Sequence, residues 1–181
     1  FDNILPHEPF PFTKVLLNYF FKYVDAFIVQ SAKVEKELKS IIPNPNYDKV
    51  FHPVYDNYPN PIDKRDAKLK LKMQDSDIVL FFGLIRKYKG LDKLILSMEK
   101  VFEEKSNIKL LIVGECYGEK KKYLSLIEKS KYSDRILWVE EYVKESEVNL
   151  YFSASDVVVL PYLSASQSGI IPLAYNYNKP V

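Results

Sequence analysis

The feature that most constrains this chain is a repeated alternation of short apolar runs with stretches of helical period. Residues 77–82 (D-I-V-L-F-F), 108–113, 135–139 and 156–160 (D-V-V-V-L) are short and rich in Val, Ile, Leu and Phe. Between the first two, Leu91, Leu94, Ile95, Met98, Val101 and Phe102 follow the spacing of one helix face. Residues 123–127, 145–152 and 170–177 are read as further helices. Strands apolar on both faces and separated by amphipathic helices predict a parallel sheet covered on both sides. The expected fold class is therefore α/β, with a Rossmann-like parallel sheet and helices on both faces. Ligands of such sheets bind at the carboxyl ends of the strands, so chemistry is sought just after residues 82, 113, 139 and 160.

Upstream, residues 25–30 (D-A-F-I-V-Q) read as a buried strand, followed by a helix carrying Val34, Leu38, Ile41 and Ile42 on one face. Residues 49–54 are expected to form another strand. Residues 55–63, with Pro59, Pro61 and two asparagines, read as a linker or domain crossing.

Composition removes several classes. At 181 residues and 47% hydrophobic the chain can bury a sizeable core. Its net charge of +2, with lysines and arginines spread along the chain, lacks the basic stripe of a nucleic-acid binder, so no nucleic-acid partner is expected. Cys116 is the single cysteine, which excludes an internal disulfide and a zinc site built on several cysteines, and a reducing cytoplasm fits. No apolar run approaches the roughly 20 residues of a membrane-spanning helix, and no signal peptide is recognisable. The chain opens without methionine and ends on Lys179-Pro180-Val181, a sequence like the entry to another strand; it is expected to be part of a longer polypeptide.

Four segments are candidates for chemistry. In Gly83-Leu84-Ile85-Arg86-Lys87-Tyr88-Lys89-Gly90, the glycines permit a tight exit from a strand and close backbone approach at a helix start. Arg86 and Lys89 beside a helix start suit a diphosphate, although a solvated basic turn has the same composition. The Gly-Lys-Ser/Thr of a Walker loop is absent. In Gln167-Ser168-Gly169-Ile170-Ile171-Pro172, the proline places a helix start at about residues 169–171, leaving backbone N–H groups unpaired among small residues. A plain serine-rich cap is the bland alternative. Glu115, in Gly114-Glu115-Cys116-Tyr117-Gly118, can accept hydrogen bonds from sugar hydroxyls, or simply be solvated. Cys116 has no neighbouring histidine and is not expected to be a nucleophile. Leu5-Pro6-His7-Glu8 lacks the second histidine of a zinc helix, so no metal is expected there. His52 reads as structural, and the 14 tyrosines as ordinary core and surface residues.

In order along the chain, several of these segments resemble glycosyltransferase family 4, the group 1 glycosyltransferases. Residues 25–31 resemble the strand and serine that close that family's N-terminal domain. Residues 83–90 resemble its G-x-x-x-x-x-K-G segment, 111–115 its L-x-I-V-G segment, 156–161 its acidic, apolar and proline strand, and 179–181 its closing x-P-V. The resemblance implies the two-domain GT-B architecture. Residues 1–56 would be the tail of the acceptor-side domain, and residues 57–181 most of the C-terminal nucleotide-sugar domain.

The resemblance also implies a hexosyltransferase-type enzyme moving a sugar from a nucleotide diphosphate sugar to a glycan or lipid-linked acceptor. Retention of configuration is implied, with no metal and no cofactor beyond the donor. Lys89 matches the family's diphosphate-binding lysine. Arg86 departs from it: the family arginine directly follows the first glycine, where this chain has Leu84. The paired family glutamates would fall at Ala165 and Leu173, so both carboxylates are missing. Gln167-Ser168-Gly169 resembles a Q-S-G subgroup, in which Gln167 and the backbone N–H groups of Ser168, Gly169 and Ile170 would contact the donor. Gly83 and Glu115 complete the expected binding set, and Arg86 and Lys89 are the expected catalytic pair.

The implied location is cytoplasmic, with peripheral membrane contact through the part of the N-terminal domain not in this chain. The chain alone is expected to lack transferase activity. The alternatives are a degenerate member that binds nucleotide or a partner without turnover, and a GT-B-like sugar-nucleotide epimerase.

Overall fold

The computed structural model describes residues 3–6, 10–53 and 57–181, and the chain forms two compact units. The first comprises Phe1–Pro53 with Ser164–Gly169, and the second Val54–Leu163 with Ile170–Val181.

The second unit holds a four-stranded, all-parallel sheet. Its strands are β3 (Asp77–Phe82), β4 (Ile108–Val113), β5 (Ile136–Val139) and β6 (Val157–Val158), in the order β5-β4-β3-β6. Five helices accompany them: α3 (Lys64–Lys70), α4 (Leu91–Glu104), α5 (Lys120–Lys129), α6 (Val148–Ala154) and α7 (Ile170–Asn176). Side-chain alternation along the strands explains why the runs are apolar at every position. Ile78, Leu80, Leu111, Val113 and Val158 enter one apolar cluster with Ala67 of α3, Phe152 of α6, and Leu173 and Ala174 of α7. Val79, Phe81, Leu110 and Ile112 enter the opposite cluster with Leu91, Ile95, Met98 and Phe102 of α4 and Tyr123 of α5. The sheet therefore has helices on both faces, as expected for a Rossmann-like unit.

Two glycines are required by close approach. Gly90 has φ 71°, and a Cβ there would collide with the Pro161 carbonyl. Gly114 has φ 143°, and its Cβ would strike the Gly83 carbonyl. Both contacts join loops at the carboxyl ends of the strands.

The amino ends are held by charge. Asp156 accepts from Lys64 Nζ at 2.5 Å, Lys68 Nζ at 3.0 Å and the Ile78 backbone N–H at 2.8 Å. Lys68 Nζ also donates to the Ser76 carbonyl, and Lys179 Nζ to the carbonyls of Ser153 and Ser155. Burial alone would raise the Asp156 pKa, but these donors outweigh it and hold the carboxyl below its ordinary value.

The first unit is smaller. Strands β1 (Phe27–Val29) and β2 (Tyr47–Lys49) pair in parallel, beside helices α1 (Thr13–Phe21) and α2 (Ala32–Ile41). Its core contains Ile4, Phe21, Phe27, Val29, Val34 and Leu38. Ser31 caps α2 by accepting from the Val34 N–H.

Two expectations are corrected. The strand expected at 49–54 lies earlier, at Tyr47–Lys49, because it pairs residue for residue with the three-residue β1. The helix expected at 145–152 begins as a 3-10 turn, and its α-helical part is Val148–Ala154. Helices α1 and α3 were not anticipated. His7, Glu8, the last residue of the strand expected at 49–54 and the first two of the expected linker, residues 55 and 56, lie outside the described residues.

Candidate functional site

The carboxyl ends of β3 and β4 are stitched together beyond the strands proper. The Gly83 N–H donates to the Val113 carbonyl, Ile85 N–H to Glu115, and Tyr117 N–H to Ile85, at 2.8–2.9 Å. The loop after β3 and the loop after β4 thus behave as a short extension of the sheet. Residues 82–84, 113–115 and 141–143 line a cleft at this edge, at the ends of three adjacent strands.

Lys89 closes a short 3-10 turn, Lys87–Lys89, that leads through Gly90 into α4. Its ammonium lies back over Gly83: a Cβ built on Gly83 would stand 3.3 Å from Lys89 Nζ and 3.5 Å from Ile170 Cδ1. The second unit thereby brings Gly83, Lys89 and Ile170 together. Lys89 is partly buried and has no carboxylate partner among the described residues. Burial, with the nearby Arg86 charge, pushes its pKa down to about 8. Arg86 likewise makes no ion pair among the described residues; its guanidinium lies 5.3 Å from the centre of the Tyr117 ring. Tyr117 donates its hydroxyl to Glu115 at 3.1 Å, and this bond raises the tyrosine pKa. Glu115 therefore lines the cleft while bonded to Tyr117.

Gln167, Ser168 and Gly169 belong to the first unit. There Gln167 Nε2 donates to Gln30 Oε1 at 2.7 Å, and the neighbouring Ala165 carbonyl accepts from Lys33 Nζ at 2.9 Å. The helix start expected at 169–171 falls at Ile170, with Pro172 as its third residue. Of the positions where the resemblance places glutamates, Leu173 is buried in the apolar cluster, which fixes it as a packing residue.

Sequence reasoning directed attention to the loops after residues 113, 139 and 160 but singled out neither Tyr117, nor Tyr162, nor residues 141–143. The Tyr162 ring lies 5.6 Å from Lys89 Nζ and meets Tyr88 edge-on. The available signal was the placement of Tyr117 and Tyr162 in loops that directly follow predicted strands. Among the described residues no cluster of His, Cys, Asp and Glu could hold a metal. No helix among them is long and apolar enough to cross a membrane.

A parallel sheet with helices on both faces, carrying at its carboxyl edge two cations without carboxylate partners beside a cleft that also holds Glu115 and Glu141, defines a Rossmann-like domain whose Arg86 and Lys89 suit an anionic group. The family described as "Glycosyl transferases group 1" matches residues 63–178. The chain belongs to the group 1 glycosyltransferases. It is 35% identical over 106 residues to a GDP-mannose:glycolipid 4-beta-D-mannosyltransferase of Xanthomonas campestris, covering 57% of this chain and 29% of that protein. It is 29% identical over 111 residues to a D-inositol 3-phosphate glycosyltransferase of Segniliparus rotundus, covering 59% of this chain and 24% of that protein. The chain thus matches less than a third of the length of these relatives.

Among solved structures, Anabaena HepE (Alr3699), in complex with UDP and glucose, superposes with a TM-score of 0.82 at 16% identity. That match covers 100% of this chain and 50% of HepE. Sucrose-phosphate synthase from Thermosynechococcus elongatus gives a TM-score of 0.74 at 19% identity, covering 90% of this chain and 41% of that one. These likenesses establish the GT-B glycosyltransferase fold.

Proposed function

We propose that this chain carries the donor-binding part of a glycosyltransferase that moves a sugar from a nucleotide diphosphate sugar to a glycan or lipid-linked acceptor. The observation that carries the reading is Lys89: a partly buried ammonium with a pKa of about 8 and no carboxylate partner among the described residues, beside Arg86, which has no carboxylate partner among them either. Holding two unneutralised cations together at the edge of a sheet costs stability, and a diphosphate relieves that cost. Negative charge grows on the diphosphate as its bond to the sugar breaks, so fixed cations act most strongly at that stage. Gly83 leaves room for the Lys89 ammonium, and the Ile170 side chain approaches the same glycine. The nucleoside is assigned to the neighbouring cleft lined by 82–84, 113–115 and 141–143. The named activity of the Xanthomonas relative, from GDP-mannose to a glycolipid, supports this donor class and a lipid-linked acceptor.

In the finer form of the proposal, transfer proceeds with retention and without a metal, and residues 1–56 belong to the acceptor-side domain and 57–181 to the donor domain. Gln167, Ser168 and Gly169 are assigned to donor contact, and the protein to the cytoplasm with peripheral membrane contact. Thermal-shift screening of this chain against UDP- and GDP-sugars tests the donor reading. A saturable rise in melting temperature is expected, and its absence for every nucleotide sugar overturns it. Turnover by the complete polypeptide, with the product's anomeric configuration read by NMR, tests the transfer and its stereochemistry.

A second reading, nucleotide binding without turnover, is favoured by the core position of Leu173 and by Ala165, where the resemblance places carboxylates. Binding without any glycoside product in the same assay would establish it.

A further inference from the structure

We propose that Tyr117 and Tyr162 are positioning residues that hold Arg86 and Lys89 for the donor's diphosphate by offering each cation an aromatic face instead of a carboxylate. The inference rests on the donor reading above and goes beyond it by assigning two residues outside the expected binding set.

Six cations of the described residues lie over aromatic rings, and they divide cleanly. Lys39, Lys122 and Lys131 each also pair with a carboxylate, and Arg135 donates to the Phe102 and Lys105 carbonyls. For those four, the ring is an accessory to a conventional partner. Arg86 over Tyr117 and Lys89 over Tyr162 have the ring alone. Both also lie at the carboxyl edge of the sheet, in the loop after β3.

The physical consequence is specific. A carboxylate would orient either cation but would also neutralise it and compete with an incoming phosphate. An aromatic face attracts the cation through its quadrupole and leaves its N–H donors and net charge available. Both rings are themselves anchored. The Tyr117 backbone is tied to Ile85 at 2.9 Å, and its hydroxyl donates to Glu115. Tyr162 packs edge-on against Tyr88, whose carbonyl accepts from the Leu163 N–H at 2.8 Å. The Pro161 carbonyl next to it presses on Gly90. Each cation is thus aligned by a ring from a different loop.

The test is calorimetric titration of this chain with inorganic pyrophosphate, UDP and GDP, using Tyr117→Leu, Tyr117→Phe, Tyr162→Leu, Tyr162→Phe, Arg86→Ala, Lys89→Ala and the double variant Arg86→Ala/Tyr117→Leu. Melting curves confirm that each variant is folded. Each leucine variant is expected to weaken binding two- to fivefold, the range for a cation on a partly exposed ring. The phenylalanine variants, which keep the face, are expected within twofold of the parent. The double variant is expected to bind like Arg86→Ala alone, because the ring acts through the arginine.

Leucine variants that bind like the parent overturn the proposal, as does a Tyr117→Leu loss that adds in full to Arg86→Ala. A loss shared equally by the phenylalanine variants also overturns it, since the hydroxyl would then be the active group. If Arg86→Ala and Lys89→Ala both bind like the parent, or the parent binds none of the three ligands, the donor reading itself fails first.

Discussion

The two ends of the sheet use the same residue type in opposite ways. At the amino ends, Lys64 and Lys68 share Asp156, while Lys179 is bonded to two carbonyls. At the carboxyl ends, Lys89 and Arg86 have tyrosine rings and no carboxylate. Paired lysines close a structure; lysines left unneutralised keep charge available for a ligand, at some cost to stability. Substitutions that remove a charged group at the two ends should therefore differ in sign as well as size.

The largest effect is expected at the paired end. Asp156→Ala removes the acceptor of two ammonium groups and one backbone N–H, and should destabilise the chain by about 2–3 kcal/mol in urea unfolding. Its pH dependence is also fixed. The Asp156 pKa is lowered on folding, so its contribution is present above the ordinary value of 3.8 and is lost as pH falls below it. Asp156→Asn should lack that acid-side loss. Pyrophosphate affinity of the folded variant should be unchanged, and a large change would mean that the two ends are not independent.

Gly90→Ala comes next. A Cβ would meet the Pro161 carbonyl, and φ 71° disfavours any L side chain, so a loss of about 2 kcal/mol is expected by the same denaturation measurement.

At the unneutralised end the sign reverses. Lys89→Met should stabilise the chain at pH 7, by on the order of 1 kcal/mol once solvent screening of a partly exposed group is allowed for. The Lys89 pKa falls from 10.5 to about 8 on folding, so the unfolded chain binds more protons between those values. Parent stability from this group rises with pH across that window, and the advantage of Lys89→Met should shrink across it. A destabilised Lys89→Met at pH 7 would contradict the picture of an unneutralised cation.

The smallest effect belongs to the exposed pair of Lys131 and Glu103, where Lys131→Ala should leave the urea midpoint unchanged.

Much of this contrast was legible in the sequence, but unevenly. Strands β3 and β4 and helix α4 announced themselves because both sheet faces are buried, and because Leu91, Ile95, Met98 and Phe102 keep one helical stripe. Helix α3 (K-R-D-A-K-L-K) did not, since it turns only Ala67 and Lys68 inward and offers no apolar stripe. Its available signal was Asp63, which caps it through the Arg65 and Asp66 N–H groups. Helix α1 is apolar over most of its surface and entered through Phe12 in a left-handed conformation, so neither period nor cap marked it. At the candidate site, Gly83, Arg86, Lys89 and Gly90 were readable as a glycine-bounded cationic loop. Their tyrosine partners were not, because a ring contact between loops after different strands leaves no local spacing, and 14 tyrosines dilute any compositional hint.

The most direct test of the central claim is the pH dependence of pyrophosphate and UDP or GDP binding to this chain, measured by calorimetry for the parent and Lys89→Ala. A bound diphosphate must restore the Lys89 proton, so parent affinity should fall as pH rises through about 8, by up to tenfold per pH unit. Lys89→Ala should bind at least tenfold more weakly at pH 7 and show no such slope. Equal affinity of the two proteins at pH 7, with parallel pH profiles, would contradict the account.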